Sequence, residues 1–377
     1  LGIATGSLGD ATAQVSLMNA AFDPNFGGRE NSEVTAENLK DLAGEVLRRG
    51  ADVGISNDGD CDRAGAVAPA PDATGAITMT RYFNGNDFAT LLAYGALKQA
   101  REAAGKRWDP SRYVVIRSIV STAWIDAVAK SFGIPAENSR TTAVGFRFLN
   151  DLIRQAKAEG KMVIVAFEEN GGIALGSAIP YKDGFAADLL LLTMLARAKQ
   201  QGKTIEQLFQ QVQQVAPRPE YVRTDVHMHI ADLNVSNQYK GSKGKVMQTF
   251  NRIADDVEAK LKNGEHPALA LPSGRNLEIV EVSRLDGTYF NFSDKSWIDI
   301  RASGTEPIFR VYVEAPTKAA NQDLTGWAVA ILKQLEQEAN SPPTPPTTPA
   351  SGGTPPVASG TPVPKTYPLA GGATMRT

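Results

Sequence analysis

The sequence has only one cysteine, Cys61, among its 377 residues, which excludes an internal disulfide. Such low cysteine content is typical of a reducing compartment, and we expect a cytoplasmic protein. No apolar run reaches the ~18 residues of a membrane-spanning helix, and the longest, at residues 189–196, predicts a buried helix. The net charge of -2 indicates neither nucleic acid nor an anionic membrane as a partner.

Histidine is also scarce, which weakens the case for a zinc site. His227 and His229 alternate along a predicted strand, His266 lies in a predicted loop, and Cys61 is distant from all of them in the sequence. Because zinc would need further ligands, we interpret the histidines as structural. The sequence begins with Leu1 rather than with a methionine, and no basic segment follows, so we expect that its natural start lies elsewhere.

The length predicts two or three domains of roughly 150 residues each. Apolar spacing predicts a helix at 35–48 and a strand at 51–55. From about residue 84 to 199, helices, including one predicted at 146–158, alternate with buried strands, which predicts a mostly parallel sheet. From about residue 219, strands with period-two alternation and two helices predict an α+β region with an antiparallel sheet. Residues 341–377 are rich in Pro, Thr, Ser and Gly, which predicts a disordered tail.

The acidic segment Asp58-Gly59-Asp60-Cys61-Asp62-Arg63 follows the first predicted strand. In an extended segment, side chains at alternate positions point the same way, so Asp58, Asp60 and Asp62 are expected to converge. Converging carboxylates repel one another unless a cation lies between them. With Arg63 beside them, the pattern favours an octahedral magnesium site with an open position for a phosphate oxygen.

The same segment has three other interpretations. A calcium EF-hand would need glycine and glutamate where the chain has Arg63 and Pro69, which excludes it. An aspartate-nucleophile phosphohydrolase would use Asp58 as the nucleophile and Asp60 as the acid/base. A solvated acidic turn is the structural alternative.

A second motif, from Arg301 to Pro307, lies between two predicted strands. Gly304 allows backbone N–H groups to approach an anion closely. Ser303 and Thr305 add hydroxyl donors, and Arg301 can bind a phosphate through two N–H groups. The motif predicts a phosphate-binding loop, with an ordinary turn as the alternative.

A third motif follows the predicted strand at 162–167. Glu168 and Asn170 stand at the end of this strand, where polar side chains suit hydrogen bonds to sugar hydroxyls. Lys182 precedes a long predicted helix and can offset phosphate charge. A polar loop without a function is the alternative for each of these.

In this order along the chain, DGDCDR at 58–63, FEENGG at 167–172 with KDG at 182–184, and RASGTEP at 301–307 resemble the motifs of the α-D-phosphohexomutase family, the phosphoglucomutases and phosphomannomutases. The resemblance covers roughly residues 15–316. It implies two α/β domains, the first of them incomplete, followed by an α+β domain. The expected boundaries are 1–80 for the partial second α/β domain with the metal-binding loop, 81–215 for the third α/β domain with the sugar-binding loop, 216–340 for the α+β phosphate-binding domain, and 341–377 for the tail.

The resemblance also implies an isomerase that moves a phosphoryl group between the 1- and 6-positions of a hexose phosphate. The expected substrates are glucose 1-phosphate and glucose 6-phosphate, with mannose phosphates as a further option, and the expected cofactors are Mg²⁺ and glucose 1,6-bisphosphate. By this resemblance, Asp58, Asp60 and Asp62 would hold the magnesium, and Arg63 would lie beside the transferring group. The substrate-binding residues that it implies are Glu168, Asn170, Lys182, Arg301, Ser303, Gly304 and Thr305.

Three departures from the family pattern bear on activity. The family's phosphoryl donor is a serine in a Thr-Ala-Ser-His-Asn-Pro-like loop, which is absent here, so we expect a missing N-terminal phosphoserine domain and an inactive chain. Asn170 stands where serine is common, which leaves the sugar preference open. Arg117 is the catalytic candidate where family members often have lysine or histidine, but arginine stays protonated, so the general acid or base is unassigned.

Two alternative functions follow from the same residues. A magnesium-dependent sugar-phosphate phosphohydrolase would use Asp58 and would have no need of the Arg301 loop. A non-catalytic sugar-phosphate-binding remnant would instead engage partners through its Pro-rich tail.

Overall fold

The computed structural model describes residues 14–19, 21, 23–176, 181–230, 241–304 and 306–340, and the backbone of 366–368 and 374–376. The chain divides into two compact units between Arg218 and Pro219. Thr305, which is one of the predicted phosphate ligands, lies outside the described residues, as does most of the predicted disordered tail.

Unit 1 begins with helix α1 and a three-stranded antiparallel sheet in the order β1-β2-β3. The helix starts later than the predicted residue 35 because residues 36–39 form turns, and it ends at Gly50, whose φ of 60° is left-handed. The predicted strand at 51–55 is found a few residues further on. These elements are α1 (Lys40–Arg49), β1 (Gly54–Asn57), β2 (Ala64–Pro71) and β3 (Ile77–Phe83).

The second sheet of unit 1 has the order β5-β4-β6-β7. Strands β5 and β6 both run parallel to β4, and only β7 is antiparallel, which confirms the predicted mostly parallel sheet. The strands are β4 (Tyr113–Ser118), β5 (Ser139–Thr142), β6 (Met162–Phe167) and β7 (Ile173–Leu175).

The described residues of unit 1 form five further helices. Helix α4 begins and ends where the sequence predicts, whereas α6 was missed even though Thr204 and Gln207 form a capping box at its start. The helices are α2 (Gly85–Ala104), α3 (Trp124–Ser131), α4 (Phe146–Ala158), α5 (Gly184–Gln200) and α6 (Ile205–Val215), and short 3₁₀ turns lie at Phe26–Gly28, Gly105–Arg107, Pro110–Arg112 and Ala136–Asn138.

The largest hydrophobic core of unit 1 is shared by both of its sheets. It combines buried alanines of β2 with side chains of α2, α5 and α6. At the end of β3, the Phe83 ring packs edge-on against Phe209 of α6, with ring centroids 5.1 Å apart. Next to it, Arg81 pairs with the buried Glu206 at 2.5 Å. The core is therefore continuous across the domain boundary that we predict near residue 80.

Unit 2 contains a six-stranded antiparallel sheet in the order β8-β13-β12-β11-β10-β9, which confirms the predicted α+β region. Ile298, Ile300 and Ala302 of β12 pack in a core with side chains of both helices of the unit. Because side chains alternate along a strand, Asp299 and Arg301 lie on the opposite face. The elements are β8 (Glu220–His227), α7 (Gly241–Lys262), β9 (Ala268–Ala270), β10 (Asn276–Ser283), β11 (Thr288–Phe292), β12 (Trp297–Ala302), β13 (Ile308–Ala315) and α8 (Lys318–Asn340).

Beyond α8, two short strands, β14 (Thr366–Pro368) and β15 (Thr374–Arg376), pair antiparallel. The predicted disorder of the rest of residues 341–377 falls outside the described part of the chain. None of the described helices combines the length and the apolar character that crossing a bilayer requires.

We expect Phe83→Ala to destabilise unit 1 by about 3–5 kcal/mol, because it opens a cavity in the core between β3 and α6. Ile77→Ala is the matched control, since Ile77 is 59% exposed on the same strand and should change stability little. Urea unfolding followed by circular dichroism would compare the two variants. Similar losses of stability in both would contradict the shared core.

Candidate functional site

The three aspartates of the acidic loop converge as predicted, but through a turn. Oxygen atoms of Asp58, Asp60 and Asp62 all lie within 4.8 Å of one another. The Cys61 N–H donates to the Asp58 carbonyl at 3.1 Å, and Cys61 has a left-handed φ of 58°. The loop is therefore not the extended segment that the sequence suggested. Among the described residues, this is the only cluster of His, Cys, Asp or Glu side chains with metal-ligand geometry.

Like charges make this cluster unfavourable without a cation. Asp58 is only 9% exposed, and burial raises the pKa of its carboxyl group. A hydrogen bond from the Arg63 N–H opposes that shift, whereas the charges of Asp62 and Asp60 add to it. Three closely spaced carboxylates form the hard oxygen donor set that Mg²⁺ prefers. The residues therefore fit a magnesium ion.

Two cationic side chains lie against the acidic loop. The Arg63 Nε is 3.4 Å from Asp58, and its Nη1 is 2.8 Å from Glu33. The Lys182 ammonium is 2.6 Å from Asp62. Burial alone would lower the pKa of Arg63, but the neighbouring carboxylates outweigh it and raise the pKa. Arg63 therefore remains a charged partner of the loop, and Lys182 lies closer to the loop than the sequence indicated.

Backbone contacts hold the loop against the third motif. Arg63 forms an isolated β-bridge with Gly172, and the Gly184 N–H at the start of α5 donates to the Cys61 carbonyl at 3.0 Å. A Cβ on Gly184 would lie 2.8 Å from the carbonyl oxygens of both Cys61 and Arg63. Only glycine permits this approach, so α5 and the acidic loop are fixed to each other.

Asp188 on α5 is an acidic residue near the loop that the sequence did not reveal. Burial raises its pKa to about 7, a bond from Asn57 opposes the shift, and Asp183 adds to it. Its charge also raises the pKa of the Cys61 thiol, although burial is the larger cause there. Asp188 lies one turn beyond the start of α5 in an otherwise apolar run. This single charged residue among apolar ones was the signal by which the sequence could have indicated it.

The predicted sugar-binding residues lie at the end of β6. Glu168 is 5% exposed, and its Oε1 accepts a hydrogen bond from the Gly145 N–H at 2.9 Å. The Asn170 Oδ1 accepts one from the Gly172 N–H at 3.0 Å. A Cβ on Gly172 would lie 2.7 Å from the Lys182 side chain, so this glycine lets the lysine approach the loop. The structure thus brings Glu168, Asn170 and Lys182 together beside the acidic loop.

Arg117 lies at the end of β4 and contacts the loop and the helix that follow this strand. Its Nε is 2.9 Å from Asp126 on α3, and its Nη1 donates to the Ser121 carbonyl at 3.2 Å. The side chain is buried. These contacts give Arg117 a clear structural role in holding the loop after β4, and its catalytic role stays a prediction.

In unit 2, the residues of the predicted phosphate-binding loop after β12 differ in their burial and in their contacts. Arg301 is partly buried, with its Nε 3.4 Å from Asp286. Ser303 is 1% exposed, and its hydroxyl accepts a hydrogen bond from the Glu306 N–H at 3.2 Å. Gly304 is exposed. The Ser303 hydroxyl is therefore engaged inside the loop, whereas Gly304 is exposed, and its phosphate-binding role stays a prediction.

Lys243 supports this loop from beneath and was not predicted. The side chain is 1% exposed, and its ammonium donates to the carbonyls of Ser303 at 2.8 Å and Glu306 at 2.7 Å. Burying an ammonium group costs free energy unless the group is hydrogen-bonded. The two carbonyls accept hydrogen bonds from Lys243, and these charge-assisted bonds in turn hold the carbonyls in place.

We expect Gly184→Ala to weaken unit 1 by about 1–3 kcal/mol, since the added methyl group collides with two backbone carbonyls that cannot easily move. Gly44→Ala is the control, because a Cβ there meets nothing within 4 Å and lies in the interior of α1. It should be neutral or mildly stabilising. Equal effects of both substitutions in urea unfolding would show that the contact of α5 with the acidic loop is not close.

Lys243→Met should lower the stability of unit 2 by about 2 kcal/mol, because it leaves two carbonyls without a charged donor. Lys245→Met, two residues along the same helix and exposed, serves as the control and should have little effect. Amide hydrogen exchange at Ser303 and Glu306 would report the loop directly. Unchanged exchange in Lys243→Met would contradict the supporting role of this lysine.

Comparison with known protein families gives three matches in chain order. Residues 3–70 match the phosphoglucomutase/phosphomannomutase alpha/beta/alpha domain II, residues 84–215 match domain III, and residues 243–326 match the C-terminal domain. Together these matches cover most of the chain.

Relatives and solved structures agree with these matches. A phosphoglucomutase of Staphylococcus aureus is 27% identical over 301 residues, which are 77% of this chain and 50% of that protein. A phosphoglucomutase/phosphomannomutase of Thermococcus kodakarensis is 25% identical, over 85% of this chain and 56% of that protein. The chain thus spans about half the length of the curated relatives that it matches.

The fold is similar to that of solved members of the same group. A phosphoglucomutase/phosphomannomutase family protein of Burkholderia thailandensis has a TM-score of 0.58 at 17% identity, covering 90% of this chain and 59% of that one. The pp63/parafusin phosphoglucomutase of Paramecium has a TM-score of 0.53 at 22% identity, covering 86% and 52%. On the three family matches, the chain belongs to the phosphoglucomutase/phosphomannomutase family.

Proposed function

We propose that this chain carries the magnesium- and sugar-phosphate-binding machinery of a phosphohexomutase. The reaction would move a phosphoryl group between the 1- and 6-positions of a hexose phosphate, with glucose 1-phosphate and glucose 6-phosphate as the main pair and mannose phosphates as further substrates. One observation carries the proposal: Asp58, Asp60 and Asp62 converge between Arg63 and Lys182 in a chain of this family.

The acidic loop would handle the transferring phosphoryl group. Asp58, Asp60 and Asp62 would hold Mg²⁺, which supplies positive charge to a phosphoryl oxygen. Arg63 stays protonated and is fixed by Glu33 and Asp58, so it offers an oriented cation at the same place. Phosphoryl transfer depends mainly on positioning and charge neutralisation, and these side chains provide both.

The loop after β6 would bind the sugar. One oxygen of Glu168 is held by the Gly145 N–H, which orients the carboxylate and leaves the other for a sugar hydroxyl. Asn170 can donate through its amide nitrogen while its oxygen bonds to Gly172. Lys182, at the same loop, would offset phosphate charge. We assign the non-transferring phosphate to Arg301 and the backbone around Gly304 in unit 2, with Ser303 shaping that loop.

The phosphoryl donor is the part of the reaction that these residues do not supply. None of the three histidines follows a serine, so the sequence contains no Ser-His pair of the kind found in the family's donor loop. We therefore propose that the donor serine lies outside these 377 residues, with glucose 1,6-bisphosphate as the intermediate that the whole enzyme turns over.

Hydrolysis through Asp58 is the weaker alternative. A carboxylate nucleophile must be ionised and open to attack. Asp58 is 9% exposed, burial raises its pKa, and one of its oxygens accepts the Arg63 N–H at 3.0 Å. These features suit a metal ligand better than a nucleophile.

We expect Asp58→Asn to lower Mg²⁺ affinity by at least about tenfold, because it removes a charged ligand from the cluster. Asp151→Asn is the control, since Asp151 is an exposed carboxylate on α4 and should leave Mg²⁺ binding unchanged. Isothermal titration of the full chain with MgCl₂, with and without glucose 1,6-bisphosphate, measures the difference. Equal Mg²⁺ affinity in the two variants would contradict the assignment of Asp58 as a ligand.

An activity assay of the unmodified chain separates the remaining alternatives. With Mg²⁺, glucose 1-phosphate and glucose 1,6-bisphosphate, we expect no glucose 6-phosphate above a trace. Turnover would show that the donor lies within these residues after all. Release of inorganic phosphate that Asp58→Asn abolishes would instead favour the hydrolase.

A further inference from the structure

Asp299 on β12 is an isolated carboxyl group inside unit 2. It is 0% exposed, and neither of its oxygens has a hydrogen-bond partner among the described residues. A buried carboxylate without a donor is strongly disfavoured relative to the neutral acid. Burial raises the pKa of Asp299 well above its usual value, the charge of Asp286 adds to this, and Arg301 opposes it.

Asp299 lies beside the arginine that we assign to phosphate binding. Asp299 and Arg301 are two residues apart on β12, so both project from the same face of the sheet. The turn before β11 closes over them: a Cβ on Gly287 would lie 2.9 Å from the Asp299 Oδ1 and 2.9 Å from the Arg301 Cβ. The preceding residue, Asp286, is 3.4 Å from the Arg301 Nε. We call Asp286, Asp299 and Arg301 the Arg301 cluster.

The neighbouring strands contribute the other titratable and charged groups. Tyr289 of β11 and Tyr312 of β13 are the register partners of Asp299. Tyr312 also hydrogen-bonds to Arg301. Arg310 is the register partner of Arg301, but its guanidinium pairs with Glu306 at the end of the phosphate loop. Only Asp299 in this set combines an acidic proton with complete burial and no polar partner among the described residues.

The charge of the Arg301 cluster depends on the proton of Asp299. With Asp299 neutral, Arg301 and Asp286 cancel, and an incoming phosphate meets a guanidinium opposed by one carboxylate. With Asp299 ionised, the cluster carries a net negative charge next to the anion. Charges a few ångströms apart in a buried site interact strongly, so this difference should be felt by a bound phosphate.

We propose that Asp299 is a positioning and charge-setting residue for the phosphate-binding arginine: as a neutral acid it permits phosphate binding at the Arg301 loop, and its ionisation weakens that binding. The inference rests on the proposed function, which assigns a phosphate to Arg301. It gives the loop a built-in response to pH that the motif RASGTEP alone would not have.

The test compares phosphate binding by the wild-type chain and by Asp299→Asn across pH. Isothermal titration with glucose 6-phosphate and with inorganic phosphate, from about pH 5.5 to 9, gives the ratio of their dissociation constants at each pH. Because ionisation of the ligand affects both proteins equally, the ratio reports the protein alone. We expect it to be near one at low pH and to reach about tenfold in favour of Asp299→Asn at high pH.

Two further variants serve as controls for the binding measurement. Asp299→Leu, which is also uncharged, should show the same advantage at high pH even if the asparagine perturbs the strand. Asp255→Asn removes an exposed carboxylate on α7 of the same unit and should follow the wild type at every pH.

A stability measurement reports Asp299 independently of any ligand. Because its folded pKa is raised, the folded state holds a proton that the unfolded state has released, so wild-type stability should fall as pH rises from the unfolded to the folded pKa. The stability gap between Asp299→Asn and the wild type should therefore widen with pH in urea unfolding, and the gap for Asp255→Asn should not.

The outcomes are distinct. A binding ratio that rises with pH supports the inference. A constant ratio, with clear binding by both proteins, overturns the inference and leaves the proposed function standing. Absence of phosphate binding by every variant at every pH overturns the proposed phosphate site and the inference with it, while the stability gap still shows whether Asp299 titrates.

Discussion

The mutual repulsion of three carboxylates in the acidic loop is the constraint around which unit 1 is arranged. Asp58, Asp60 and Asp62 share a space of less than 5 Å, and the chain surrounds them with opposing charge and fixed backbone. Arg63 and Lys182 supply the charge from different parts of the sequence. The backbone bonds from the third motif and from α5 hold the turn closed, so the carboxylates stay together although they would separate in a free loop.

The two candidate sites have functional charges of opposite sign, and in both sites these charges are paired with counter-charges. In unit 1, an excess of carboxylates calls for a cation, and only part of that charge is met by Arg63 and Lys182. In unit 2, the cationic Arg301 that we propose as a phosphate ligand would have to stay available to an anion while it is held by Asp286. Buried charges are stable only when paired, so each functional charge has a counter-charge that also orients it. Lys243 follows the same logic, since its buried ammonium is satisfied by the carbonyls of the loop that it supports.

Helices and strands whose bounds depend on neighbouring residues could be predicted from local patterns in the sequence. Helix α4 and strand β6 were predicted residue for residue because their apolar spacing and flanking glycines are unambiguous. The convergence of the acidic loop was also predicted, but its cause is a turn at Cys61. The pairing of Lys182 with Asp62 could not be predicted, because it joins segments more than a hundred residues apart. The burial of Asp299 could not be predicted for a related reason: the alternation Ile-Asp-Ile-Arg is typical of a half-solvated strand, yet this carboxyl group is fully buried.

A lysine at position 182 suits the change of charge that our proposed magnesium binding would bring to the site. Without a metal, Asp62 needs a close cation, and the Lys182 ammonium provides it at 2.6 Å. A carboxylate that is to become a metal ligand must be able to exchange that partner. A lysine carries a compact charge on a flexible stem of four carbons, so it can withdraw from Asp62 without leaving the loop, whereas the planar fork of an arginine would bind the carboxylate more rigidly. Phe146 lies 5.7 Å from the ammonium and offers its ring face as a second place for the cation. Lys182 is thus suited to balance the acidic loop in both states, and Arg63, locked by Glu33, is suited to remain in place.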